Sequence, residues 1–177
     1  MKILIGPTSS RQMQKAIKLM KKMLEEKQQN YLQDVSQIEE QQIVVEVWDD
    51  IKSPITCADI RKSGADLFID FDLAGFVQST LTDGIAYNLL DCKQIHILFG
   101  DRIPEERYLV KQLSISMFFY TTDAEYCRYL RDRYPDMPYL KVIEGWKKDE
   151  EENSAGDYAE KLCSIILEVM QLCGMSL

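Results

Sequence analysis

ADLFIDFDLAGF, residues 65–76, carries an apolar core strand, 67–71, that holds Asp70 near its end and runs into Asp72 and then a glycine, Gly75. A buried strand that ends in acid and glycine at a turn into a helix is how an open α/β sheet builds a ligand crevice. Outward from it, five more short runs rich in Ile, Val, Phe and Leu read as strands: 2–5, 43–47, 94–99, 115–120 and 140–143. Most lack a period of two, and helical patterns separate them. Continuous apolar strands joined by helices mean a parallel sheet covered on both faces, with connections long enough for right-handed crossovers. The expectation over residues 1–146 is an α/β domain, three-layered and Rossmann-like or flavodoxin-like, with a mostly parallel sheet of five or six strands.

The helices carry start signals. Ser9-x-x-Gln12 and Thr122-x-x-Glu125 read as capping boxes. In the first helix Met13, Ile17, Met20 and Leu24 make one apolar stripe. A last helix, over 157–177, is expected to bury Leu162, Ile165, Ile166, Val169 and Cys173, docking on the domain or on a partner. An acidic linker, KKDEEENSAG at 147–156, precedes it. One connection is too long for a crossover helix. Its excess, 25–42, is rich in Gln and Glu and reads as a polar helical extension or loop. Leu24, Tyr31, Val35 and Ile38 would also continue the stripe as a projecting coiled-coil element for a partner.

At 177 residues and 46% hydrophobic, the chain suffices for one domain that buries about 70% of its unfolded surface. A formal net charge of −8 argues against nucleic acid and against anionic membrane surfaces as partners. No run approaches the roughly 18 apolar residues of a membrane span, and the apolar start stops at Gly6-Pro7, short of a signal peptide. The five cysteines include no C-x-x-C pair and there is one histidine. Neither a zinc site nor a disulfide framework is expected; reduced thiols in a cytoplasm are the simplest reading.

In a parallel sheet the ligand sits beyond the carboxyl ends of the strands. Those ends read Gly6 to Ser10, then Asp49-Asp50, Asp70 and Asp72, Gly100-Asp101, Thr121-Thr122-Asp123 and Glu144-Gly145-Trp146, an acidic rim. Such acids would bind a divalent cation, Mg²⁺ in that reading. They would equally accept hydroxyls of a sugar-like ligand or act as general bases. The plainer account is that they cap helices and suit the positive ends of helix dipoles, at about 1 kcal/mol each. Of the pair in the opening strand, Asp72 is the stronger candidate and Asp70 the weaker, being still within the strand.

The turn GPTSS, 6–10, offers hydroxyls and amides at a helix start. It has neither the ending of a P-loop nor the glycines of a dinucleotide fingerprint. A phosphate there would meet acidic neighbours at about 1–4 kcal/mol per close charge pair, with Arg11 the nearest offset. In LTDGIAYNLL, 81–90, Asp83-Gly84 marks a turn, and Thr80, Thr82 and Asp83 would line the crevice. His96, between two isoleucines inside a strand, reads as a packed, hydrogen-bonded residue. Tyr126, Tyr129 and Arg133 share a helical face that would bind ligands by stacking or simply lie half-buried.

Taken together, 65–146 resembles the N-terminal Rossmann-like half of GT-B glycosyltransferases. The resemblance lies in the D-x-D-type strand end, then KQIHILFG at 93–100, ERYLVKQL at 106–113, and SISMFFYTTDAEYCRYLRDRYP at 114–135. It implies an acceptor-side domain facing a sugar or nucleotide-sugar ligand. The donor-binding half of that family, with its E-x7-E element, is not expected within this length; Glu144 and Glu152 have the spacing but stand in the acidic stretch. No catalytic residue carries over. The candidate ligand-binding set is Ser9, Ser10, Asp72, Thr80, Asp101, Thr122 and Asp123. Three functions are in play: a ligand-binding or accessory domain working with a partner chain, a small Mg²⁺-dependent transferase or hydrolase, and a non-catalytic interaction module that forms homo-oligomers through 25–42 or the last helix.

Overall fold

The computed structural model describes residues 1–8, 10–34, 42–48, 55–73, 90–99, 115–146 and 154–175. In chain order the elements are β1 (Lys2–Ile5), α1 (Arg11–Asp34), β2 (Val44–Val47), α2 (Cys57–Ser63), β3 (Leu67–Phe71), β4 (Lys93–Leu98), β5 (Met117–Thr121), α3 (Ala124–Arg133), β6 (Leu140–Val142) and α4 (Ala155–Leu172). Among the described residues the strands form one six-stranded parallel sheet in the order β2-β1-β3-β4-β5-β6. This is the expected α/β class. Of the two strand orders considered, it is the flavodoxin-like one, in which the second strand lies outside the first, extended here by β6.

Register follows from the ladder. Ile3, Leu4 and Ile5 of β1 stand beside Leu67, Phe68 and Ile69 of β3. β3 runs beside β4 with Asp70 opposite His96, and His96 in turn stands opposite Phe119 of β5. On the outer side β2 is tied to β1 by Val44 N–H to the Met1 carbonyl, 2.9 Å, and Trp48 N–H to the Ile5 carbonyl, 2.8 Å. β3 and β5 are buried at every position. That is why their sequences show no alternation.

The chain divides into two compact units, one built on the sheet with α2 and α3, the other on α1 and α4. In the sheet unit, alternate residues of the strands, Leu4, Phe68, Leu98, Met117 and Phe119, pack in one core cluster with Ile60 of α2 and Tyr126 and Leu130 of α3. Each such side chain contributes about 1.5–3 kcal/mol by leaving water. α2 starts at a capping box: the Thr56 hydroxyl accepts the Asp59 N–H at 3.2 Å, and the Asp59 carboxylate accepts the Thr56 N–H at 3.0 Å. The Thr56 hydroxyl also donates to the Asp59 carboxylate, and this bond foremost, with the one from the Thr56 N–H, holds the Asp59 carboxyl below its ordinary range. Gly64, at φ 64°, ends the helix in the left-handed conformation glycine adopts without strain.

In the other unit α1 packs on α4. The stripe Met13, Ile17, Met20 and Leu24 is buried as its spacing implies, with Ala16 filling the gap. Gln28, one turn further, is buried too, and its side-chain carbonyl accepts the Ile43 N–H at 3.0 Å. The Gln- and Glu-rich segment thus begins as helix, to Asp34, and 35–41 lie outside the described residues. α4 buries Leu162, Ile165, Ile166 and Val169 together with Tyr158 and Met170. It begins at Ala155, inside the stretch read as linker, because Ser154 and Asp157 form a capping box there. Cys173 is the cap residue beyond its end, half-buried.

The remaining differences lie at element ends. β5 starts two residues later than its apolar run: Ile115 sits in the preceding turn, 84% exposed. α3 is capped by Asp123 rather than Thr122, since a carboxylate takes two orphan amides at once, those of Glu125 at 2.7 Å and Tyr126 at 2.8 Å. In the first turn of α1 the Ser10 hydroxyl accepts the Met13 N–H at 3.2 Å; Ser9, expected to cap the helix, lies outside the described residues.

Candidate functional site

The strand order reverses between β1 and β3: from β1 the chain proceeds outward to β2, from β3 toward β4 and beyond. In open α/β sheets the crevice at such a reversal, beyond the carboxyl ends of the strands, is where ligands bind. Here β1 and β3 come together closely. Gly6 N–H donates to the Ile69 carbonyl at 2.7 Å, and a Cβ on Gly6 would lie 3.1 Å from that same oxygen. A glycine keeps the first turn pressed against the third strand.

At the end of β3 the backbone enters the left-handed region twice running, φ 51° at Asp72 and 55° at Leu73. Aspartate tolerates this conformation; for leucine it costs about 1–2 kcal/mol. Asp72 is fastened from both ends. Its N–H donates to the Ile97 carbonyl at 2.8 Å, and its Oδ1 accepts the Phe99 N–H at 2.7 Å. The sequence candidate most favoured thus stands on the sheet edge with its carboxylate joined to the residue just past β4. Phe99 is half-buried there, its ring stacked on Phe71 at 6.0 Å and tilted against the buried Trp146 at 5.4 Å. Phe99 and Trp146 were not in the candidate set. The only signal for Phe99 was its position after an apolar strand, and an apolar residue there reads as strand.

The other candidates fall in three groups. Thr122 and Asp123 follow β5 on the same sheet edge. Thr122 N–H donates to the Leu98 carbonyl at 3.2 Å, tying the β5 end to β4, and the exposed Asp123 caps α3. Ser10 belongs to the unit of α1 and α4, where it caps α1. Ser9, Thr80 and Asp101 lie outside the described residues, as do Asp49, Asp50, Gly75, and 81–89 of LTDGIAYNLL.

One step below the edge lies a pairing that residue order alone does not show. Asp70 and His96 are both buried, at 0% and 1% exposure, with His96 Nδ1 3.6 Å from Asp70 Oδ2. The His96 ring stacks on Phe119 at 5.0 Å. Gln94 and Thr121 are buried as well, on the same face by the alternation of the strands. His96 is therefore packed as read, and its acidic neighbour is the strand aspartate set aside as the weaker candidate. A signal existed: two polar residues inside apolar strands, each invisible as a pair until the register is known.

Cysteine chemistry is muted. All five are free thiols. Burial pushes Cys92 up to about 11, and it raises Cys57 and Cys163 too. Thiols held protonated are poor nucleophiles. Among the described residues no group of three or more His, Cys, Asp or Glu stands close enough to hold a metal ion. No helix among them is long and apolar enough to cross a membrane. Among the described residues the edge holds a fixed carboxylate, hydroxyl and backbone groups, and the half-buried ring of Phe99. No family profile, curated protein or solved structure matches this chain.

Proposed function

We propose that the chain is a ligand-binding or accessory domain akin to the acceptor-side half of a GT-B glycosyltransferase, holding a sugar at the carboxyl edge of β1, β3 and β4 and working in the cytoplasm with a partner chain or a second copy. One observation carries the reading. At the carboxyl edge of β3 and β4, the Asp72 carboxylate accepts the backbone N–H of Phe99 at 2.7 Å, so that a fixed carboxylate is tied to the residue whose half-buried ring lies against Phe71 and Trp146. A sugar presents hydroxyls that donate to a carboxylate and a C–H face that suits the electron-rich face of a ring. The local charge supports an uncharged sugar over a phosphate-bearing one. Within the sheet unit, the described residues that follow the strands include Asp72, Asp123 and Glu144 and no lysine or arginine.

The test is calorimetric titration of the wild-type chain, Asp72→Asn and Phe99→Ala against neutral mono- and disaccharides, nucleotide sugars, and Mg²⁺ alone. Asp72→Asn retains an oxygen for the Phe99 N–H while removing the charge. A saccharide is expected to bind the wild type and to lose about tenfold or more on Phe99→Ala, a loss of one good contact. Absence of any saccharide binding, or equal binding by all three proteins, would overturn the proposal.

A further inference from the structure

Asp72 owes its place to the residue after it. Leu73 is in the left-handed region, φ 55°, where a bulky side chain is an outlier. Yet it is 2% exposed and belongs to the core cluster with Leu4, Phe68 and Leu98. A turn of this kind persists only when its surroundings over-determine it. Two constraints do so here: the Asp72 N–H bond to Ile97 at 2.8 Å on one side and the buried Leu73 side chain on the other. Between them the chain has one way to leave β3, and that way sets Asp72 Oδ1 2.7 Å from the Phe99 N–H.

We infer that Leu73 is a positioning residue. Its side chain, sunk in the core, holds the left-handed turn that aims the Asp72 carboxylate at Phe99. Its contribution to ligand binding rests on the reading of this edge as a sugar site; its contribution to the geometry of the edge does not. Leucine at this point trades backbone ease for a fixed exit. Glycine would relax the turn but release the anchor, and a β-branched residue would keep most of the anchor while fitting the conformation worse.

The experiment is amide hydrogen exchange on the full chain, read as the rate at Phe99 relative to the mid-strand Ile95. The ratio cancels global destabilisation, which speeds both amides alike. Leu73→Ala is expected to raise the ratio about tenfold, the loss of one ordinary hydrogen bond. Leu130→Ala, a truncation elsewhere in the same core cluster, is expected to leave it unchanged. Should Leu73→Ala not fold, Leu73→Val serves, since it removes little volume and is expected to raise the ratio in the same direction. An unchanged ratio in the Leu73 variant, or an equal rise in Leu130→Ala, overturns the inference. A saccharide titration of the same proteins separates the two ideas. If wild type binds, the Leu73 variant is expected to bind about tenfold more weakly, in step with its exchange ratio. If wild type binds nothing, the sugar reading fails while the exchange ratio still decides the role of Leu73.

Discussion

Replacing Asp70 by valine, His96 by phenylalanine, and then both together tests the most deeply placed polar feature of the sheet. Each side chain is fully buried and the nearest atoms of the pair are 3.6 Å apart. Removing one partner of a buried ionisable pair costs about 3–5 kcal/mol, because the other is left in a low-dielectric interior without its counterpart. The 3.6 Å separation exceeds ordinary hydrogen-bond length, which puts the expected loss near the lower end, about 3 kcal/mol for each single change. The double change is different. Valine suits a central strand, and phenylalanine keeps a ring beside Phe119, where His96 now stacks at 5.0 Å. Well-packed apolar replacements of such pairs are often neutral. The double variant is therefore expected to lose only about 1–2 kcal/mol, well short of the sum. For a chain of this size each kcal/mol moves the melting temperature by about 2–4 °C, so the singles should melt about 6–12 °C lower. Urea unfolding followed by circular dichroism at one fixed pH measures all four proteins. Single losses that add in the double variant, or singles below about 1 kcal/mol, would refute the coupling.

Two further outcomes follow from the described geometry. Asp123→Ala removes the acceptor of two α3 amides and is expected to destabilise by about 1 kcal/mol, whereas Thr122→Ala is expected to change less; urea midpoints of the two variants check the order. Cys92, pushed up to about 11 chiefly by burial with its own backbone hydrogen bond opposing, should be about one part in a thousand thiolate at pH 8 and label with iodoacetamide far more slowly in the native chain than in urea. The same shift has a stability consequence. The unfolded thiol releases its proton near the ordinary 9.0 and the folded one holds it until about 11. The stability it contributes is thus intact below pH 9 and declines as pH rises toward 11, and Cys92→Ala should flatten that decline.

The fold was legible because its evidence is local. Six apolar runs, most without alternation and separated by helical patterns, are what a doubly covered parallel sheet requires, and all six strands sit within two residues of their apolar runs at either end. What sequence could not show was which strand lies beside which. Asp70 and His96 are twenty-six positions apart, and only the β3–β4 register makes them neighbours. α2 went unread because Thr56 and Asp59 frame only seven residues, too few for a periodic stripe. The candidate site was legible only as a place on the fold. The sheet edge and Asp72 follow from the strand ends, while the left-handed turn at Leu73 and the ring of Phe99 depend on backbone angles and cross-strand packing that residue types do not encode.

The outermost strands bear on how this chain behaves in company. A strand with one open side is a template on which another chain can crystallise into a continuous sheet. Here both such strands are short: β2 has four residues and β6 three. Each also carries an exposed charge midway, Glu46 on β2 and Lys141 on β6. A neighbour seeking to extend the ladder would find few rungs and would have to strip water from a charge to use them. Among the described residues, the outer strands are therefore a poor template for fibrous growth along the sheet.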